Sequence, residues 1–156
     1  METEMNASWN MVSEIELVYR SKVKPSKRPL IDTAASAYKF LLSHWDENNI
    51  ELAEQSVALL LNRANRVMGM YRMSTGGITG TVVDPRLLFT AALKLNANAI
   101  ILSHNHPSGN LTPSQQDKAM TDKIAMGGKI LDIKLVDHLI ITTEGYYSFG
   151  DEGLIG

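Results

Sequence analysis

The sequence predicts an α/β domain in which helices pack on a sheet. Two observations carry this. Short apolar runs suited to strands, at 54–62, 99–103 and 134–141, alternate with stretches of helical apolar spacing at 33–45, 85–96 and 113–126. The chain has 156 residues, of which 44% are hydrophobic and 21% charged. Those values suit one ordinary globular domain that needs no staple. We expect a flexible tail over 1–13 and a single domain over 14–156.

The elements follow in order. Residues 1–10 are polar and should fray. Ile15, Leu17 and Tyr19 alternate between Glu14 and Tyr19, which predicts a first strand. Arg20, Lys22, Lys24, Lys27 and Arg28 then form a basic stretch broken by Pro25 and Pro29. It reads as a solvated loop, because charges without interleaved aromatics are weak evidence for a nucleic-acid contact. Asp32 or Thr33 should cap a helix to about Trp45, with Tyr38, Leu41, Leu42 and Trp45 on one face. His44 in that helix has no ligand partner nearby. The run EQSVALLLN (54–62) is a buried strand, and Asn62 to Asn65 turn it into a second strand from Arg66 to Ser74. Thr75-Gly76-Gly77 is a loop. Asp84 with Pro85 starts a helix that ends near Asn96. Ala99 to Ser103 is a buried strand, followed by the turn-rich loop HNHPSGNL. A helix then runs from Pro113 to Met126 and should stop at Gly127-Gly128. Lys134 to Ile141 is a strand, and Tyr146 to Phe149 an edge strand.

Composition excludes several functions. There is no cysteine, so disulfides, thiolate catalysis and cysteine-based zinc sites are ruled out. Fifteen basic against seventeen acidic residues leave a net charge of −2, which lends a nucleic-acid partner no support. No apolar run is long enough to span a bilayer, and the start METEMNASWN has no signal-peptide pattern. A cytoplasmic location is the expectation.

The chemistry gathers between Ser103 and Asp117, SHNHPSGNLTPSQQD. His104 and His106 stand at i and i+2 after an apolar strand, so their imidazoles point to one side and can share a metal ion. Thr112 is the expected helix cap, with Pro113 first in the helix and Gln115 closing a capping box. Ser114 and Asp117 then share one helix face. Pro107, Gly109 and Asn110 let the chain turn so that this face looks back at the histidines. Two imidazoles and a carboxylate around a cation leave one place for water, the arrangement of a catalytic zinc site, although iron accepts the same donors. Zinc lowers the pKa of a water it binds to about 7, and a base must still move the proton. Glu54 is the candidate base, with Glu51 as competitor; periodicity does not choose between them. His138, beside Asp137 in an apolar strand, is a core histidine first, and the pair could support the site from behind.

The spacing from His104 and His106 to Ser114 and Asp117 resembles the JAMM motif of zinc metallopeptidases. LLLNRANRV (59–67), AALKLNANAIILSHNHPSGNLTPSQQD (91–117) and VDHLIITTEGYYSF (136–149) resemble the RadC family of bacterial proteins, historically labelled as DNA repair proteins. The resemblance covers roughly residues 14–153. It implies a JAB/MPN fold related to cytidine deaminases: a mixed, mostly antiparallel sheet flanked by helices. It implies that His104, His106 and Asp117 hold zinc, that Ser114 steadies an oxyanion and that Glu54 is the catalytic glutamate. Longer RadC relatives carry a helix-hairpin-helix segment linked with DNA binding, and residues 1–50 lack its glycine hairpins.

Four functions compete. A zinc peptidase or isopeptidase uses every motif residue. A deaminase would need H-x-E and P-C-x-x-C, which this sequence lacks. A DNA-associated module would rest on the basic stretch. A scaffold would need none of the five site residues.

Overall fold

The structure is a computed structural model that describes residues 11–16, 18–75 and 83–156. The polar stretch 1–10, Leu17 of the expected first strand and Gly76-Gly77 of the expected loop lie outside the described residues. Five strands form one sheet: β1 (Gln55–Leu61), β2 (Val67–Thr75), β3 (Ala99–Asn105), β4 (Lys134–Ile141) and β5 (Tyr146–Ser148). Three α-helices accompany them among the described residues: α1 (Ala34–His44), α2 (Pro85–Lys94) and α3 (Gln115–Leu131). The strand order is β2-β1-β3-β4-β5, with β3 and β4 parallel and every other pair antiparallel. This is the mixed, mostly antiparallel sheet flanked by helices that the resemblance implies.

Alternation explains why the central strands are apolar throughout. Val57, Leu59 and Leu61 of β1, with Ile101 of β3, pack under α1 against Ala37, Leu41 and Trp45. Ala58 and Leu60, with Ile100 and Leu102, pack against Leu88, Phe89 and Ala92 of α2 and Ile124 of α3. A strand covered on both faces must be apolar at every position. β1 and β3 therefore sit in the middle, and burial of their side chains dominates the stability of the fold.

Local signals set several boundaries. Thr33, rather than Asp32, caps α1: its hydroxyl accepts the Ser36 N–H at 3.0 Å, and the Ser36 hydroxyl accepts the Thr33 N–H at 3.0 Å. Asp84 caps α2 by accepting the Arg86 N–H at 2.9 Å. Asn65 adopts a left-handed φ of 58° in the β1–β2 turn. β4 spans the residues expected of it.

Three expectations need correction. Residues 14–16, 18 and 19 form no strand; Ile15 is 86% exposed, and the Tyr19 hydroxyl donates to the Met68 carbonyl of β2 at 2.6 Å. Ile15 and Tyr19, set among charges, pair with no strand among the described residues. The cap of α3 is Ser114, not Thr112, and the capping box pairs Ser114 with Asp117, not Thr112 with Gln115. Finally, α3 runs through Gly127-Gly128 to Leu131 and ends at Asp132, whose φ is 56°. Those glycines answer crowding. A Cβ on Gly127 would lie 2.8 Å from the Phe89 ring, and one on Gly128 only 2.1 Å from the Ile133 carbonyl oxygen. Among the described residues, no helix is long and apolar enough to cross a membrane.

Candidate metal centre

The site forms where the C-terminal tip of β3 meets the N-terminus of α3. His104 pairs with Ser56 of β1 and with Ile140 of β4, deep in the sheet. His106 lies just past the strand, its backbone N–H held by the Ile141 carbonyl at 3.1 Å. Gly109 then turns the chain with a left-handed φ of 83°, which a residue without Cβ adopts freely. The turn delivers α3 with its first residues facing the imidazoles.

The distances are short. The two Nε2 atoms of His104 and His106 stand 3.0 Å apart. Asp117 bridges them, with Oδ1 3.2 Å from His104 Nε2 and Oδ2 3.4 Å from His106 Nε2. Glu54 Oε1 is 3.9 Å from His106 Nε2. Glu54, His104 and His106 offer three donor atoms within 4.8 Å of one another, a group that could hold a metal. Glu51 is directed elsewhere, its carboxylate accepting the Thr143 hydroxyl at 3.0 Å. Of the two glutamates, Glu54 is the one beside the imidazoles.

Ser114 and Asp117 are coupled through the helix cap. The Ser114 hydroxyl accepts the Asp117 N–H at 3.0 Å, and Asp117 Oδ2 accepts the Ser114 N–H at 2.8 Å. The capping carboxylate is thus the same group that faces the histidines, and helix geometry fixes its angle. The serine oxygen receives one proton and retains its own to donate.

Proton counting shows what the imidazoles present. Thr121 Oγ1 stands 2.8 Å from the Asp117 carbonyl and 2.6 Å from His138 Nδ1, and His138 Nε2 stands 2.8 Å from His104 Nδ1. With both rings neutral, one arrangement gives each link a proton. Thr121 donates to the carbonyl, His138 Nδ1 donates to Thr121, and His104 Nδ1 donates to His138. His104 Nε2 is then a bare lone pair. His106 reaches the same state, because its Nδ1 donates to the Asn110 carbonyl at 2.6 Å. Two lone pairs 3.0 Å apart beside a carboxylate repel unless a cation lies among them. These donors therefore fit a divalent ion, and a proton is the stand-in. Accordingly, the hydrogen bond with Asp117 raises the pKa of His106 above 6.5, against the opposing effect of burial. Burial also opposes ionisation of Asp117, but His104 and His106 together hold its carboxyl well below the usual carboxylate range.

His138 is fully enclosed. Its ring stacks on Phe149 with centroids 4.6 Å apart, and burial, seconded by the neighbouring His104, pushes its pKa well below 6.5. A neutral His138 is what the proton chain requires. Asp137 is not brought to the imidazoles. Its carboxylate accepts from the His138 N–H at 2.7 Å, the Ser148 hydroxyl at 2.6 Å and the Gly150 N–H at 2.9 Å, tying β4 to the end of β5. Thr121 is the member of the chain that sequence reasoning missed. A signal existed: it lies four residues after Asp117 and seven after Ser114, on the same helix face.

This arrangement defines a domain with a metal-donor cluster at a strand tip, and comparison with known proteins agrees. The model of the RadC-like JAB domain family matches residues 31–154, and the chain belongs to that family. It is 54% identical over 101 residues to a UPF0758 protein of Flavobacterium johnsoniae, covering 65% of this chain and 44% of that one. It is 33% identical over 145 residues to the UPF0758 protein STH371 of Symbiobacterium thermophilum, covering 93% of this chain and 61% of that one. A third relative, the UPF0758 protein YfjY of Escherichia coli, is 41% identical over 102 residues, 65% of this chain and 64% of the other. The chain spans about half the length of the first two of these relatives.

Proposed function

We propose that this domain is a zinc-dependent hydrolase of peptide or isopeptide bonds. The observation that supports it most is the pair of Nε2 atoms, 3.0 Å apart, converging with Asp117, a donor set suited to a divalent cation. His104, His106 and Asp117 would hold the ion. When bound, zinc supplies Lewis acidity and makes water nucleophilic at neutral pH.

The chain's own groups do the rest. Glu54 stands farther from the imidazoles than Asp117 does, which suits a base better than a ligand. It takes the proton of the attacking water and returns it to the leaving nitrogen. The Ser114 hydroxyl donates to the carbonyl oxygen as charge develops there. His138 and Thr121 keep His104 in the tautomer that presents Nε2, and Asp137 holds the backbone of His138.

The experiment is metal analysis of the purified chain together with hydrolysis of a peptide and isopeptide panel, comparing the parent with His106→Ala and Glu54→Gln. We expect stoichiometric zinc in the parent, loss of metal in His106→Ala, and retained metal without turnover in Glu54→Gln. A parent that takes up no divalent metal under any condition sinks the proposal.

A second reading, association with DNA, draws on one observation. The Val67 and Ile31 amides bind the Pro29 and Asn65 carbonyls, and Arg66 Nη1 donates to the Arg28 carbonyl at 2.7 Å. These bonds bring the end of the basic stretch, at Arg28, to the β1–β2 turn, beside Arg66. That is the end of β1 away from His104, on the order of 20 Å along the strand. Filter binding at two salt concentrations tests it: tight binding that falls steeply with salt supports DNA, and weak binding at both removes it.

A further inference from the structure

The residue between the two histidines faces the other way. Alternation along β3 sends the His104 ring towards α3 and Asn105 through to the α1 side of the sheet, where it is fully buried. All three of its hydrogen bonds go to backbone. Its Oδ1 accepts the Gln55 N–H at 2.7 Å. Its Nδ2 donates to the Ile50 carbonyl at 2.7 Å and to the Ala53 carbonyl at 2.9 Å. A carboxamide has two N–H donors and one acceptor oxygen, so its donors are both used and its oxygen is occupied. No aliphatic or ionised side chain of that size offers the same set.

The three bonds hold one short turn, 50–55, which carries the chain from α1 into β1. Glu54 lies inside that turn, and the groups gripped immediately before and after it are the Ala53 carbonyl and the Gln55 amide. Glu54 Oε1 emerges on the opposite side of the sheet tip, 3.9 Å from His106 Nε2. The tip of β3 thus serves both halves of the site. Its imidazoles face α3, while the side chain between them clamps the segment that bears the candidate acid/base. A slip of β3 by one residue would lose donors and clamp together.

We infer that Asn105 is the positioning residue for Glu54: by binding the backbone on both sides of it, Asn105 sets where the Glu54 carboxylate stands relative to His106. This rests on the reading of Glu54 as acid/base and adds the group that aims it. Thr143 completes the division of labour by holding Glu51 away at 3.0 Å.

The test uses the metal-free chain, so it does not depend on zinc. Ring carbon–proton signals of His106 are recorded in the parent, Glu54→Gln, Asn105→Ala and the double variant, with amide exchange at Gln55 and thermal unfolding alongside. Three results are expected. Asn105→Ala moves the His106 signals in the same direction as Glu54→Gln. It adds no further shift in the Glu54→Gln background, as for two changes acting through one group. The Gln55 amide exchanges about tenfold faster or more, since a buried hydrogen bond is lost. A folded Asn105→Ala that leaves the His106 signals in place overturns the inference. So does a shift that persists undiminished in the Glu54→Gln background, which marks a general structural role. If Asn105→Ala does not fold, Asn105→Asp replaces it. That variant keeps the shape and the acceptor for Gln55 but turns an oxygen towards the Ile50 and Ala53 carbonyls, and the same His106 readouts decide. Failure of the parent to bind metal would remove the hydrolase reading and leave this result standing.

Discussion

On the proposed reading, a proton and a metal ion compete for one lone pair at His106. Its pKa is raised by the Asp117 hydrogen bond, against burial, so in the metal-free chain the protonated ring stabilises the fold below its unfolded value. That contribution disappears as pH rises through the folded value. Metal binding has the opposite sign, because the ion must displace the proton. Zinc affinity should therefore rise with pH until the raised folded value is passed. Competition titrations at about pH 6 and about pH 8 measure it, and equal affinity at both contradicts the account. Asp117 behaves differently. Its carboxyl is held below 3.8, so its contribution is present above that value and fades as pH falls through the lower folded one. Behind the site, Thr121→Val removes the acceptor of His138 Nδ1–H. The His104 tautomer is then no longer enforced, and zinc affinity should fall by about 10–100-fold. An unchanged affinity would show that the chain from Thr121 to His104 is packing only.

At the scale of elements, α3 does two jobs through one cap. Ser114→Ala removes the hydroxyl that accepts the Asp117 N–H and should cost about 1 kcal/mol in urea unfolding of the metal-free chain. It should also loosen zinc binding, because the cap orients the Asp117 carboxylate. At the other end of α3, crowding sets a ranking. Gly128→Ala drives a methyl group against the Ile133 backbone and should destabilise by about 1–3 kcal/mol. Gly127→Ala meets only the edge of the Phe89 ring, which can shift, so it should cost less. The reverse order in chemical denaturation would mean that the α3–β4 connection is looser than described.

At the scale of the whole molecule, the site joins elements that are far apart in sequence. Glu54 enters from the turn before β1, the imidazoles from the tip of β3, Asp117 from α3 and His138 from β4. An ion held by His104, His106 and Asp117 would tie the tip of β3 to the start of α3. Zinc should therefore raise the melting temperature, with a stabilisation of about 2.7 kcal/mol at a hundredfold excess over Kd. His106→Ala should abolish that rise. Core stability depends on the central strands instead: Leu59→Ala, fully buried in β1, should cost about 2–5 kcal/mol with or without metal.

Much of this was legible in the sequence, because much of it is local chemistry. A run of apolar residues marked β4 from Lys134 to Ile141, Asp84 with Pro85 marked the start of α2, and the spacing from His104 to Asp117 marked the groups gathered at the candidate metal centre. Such signals lie within one or two turns of chain, where backbone geometry alone relates the residues. The tertiary structure decided the rest. It placed the Glu54 carboxylate, and not that of Glu51, beside the imidazoles, because the packing of the 50–55 turn against β3 decides which carboxylate lies there. It gave Gly127-Gly128 a role in close approach rather than in stopping a helix, because Phe89 and Ile133 come from other elements. It linked Thr121 to His104 through His138, and Asn105 to the backbone around Glu54. Each of these joins residues whose separation in sequence says nothing about distance, since register between strands, and not spacing along them, brings such groups together.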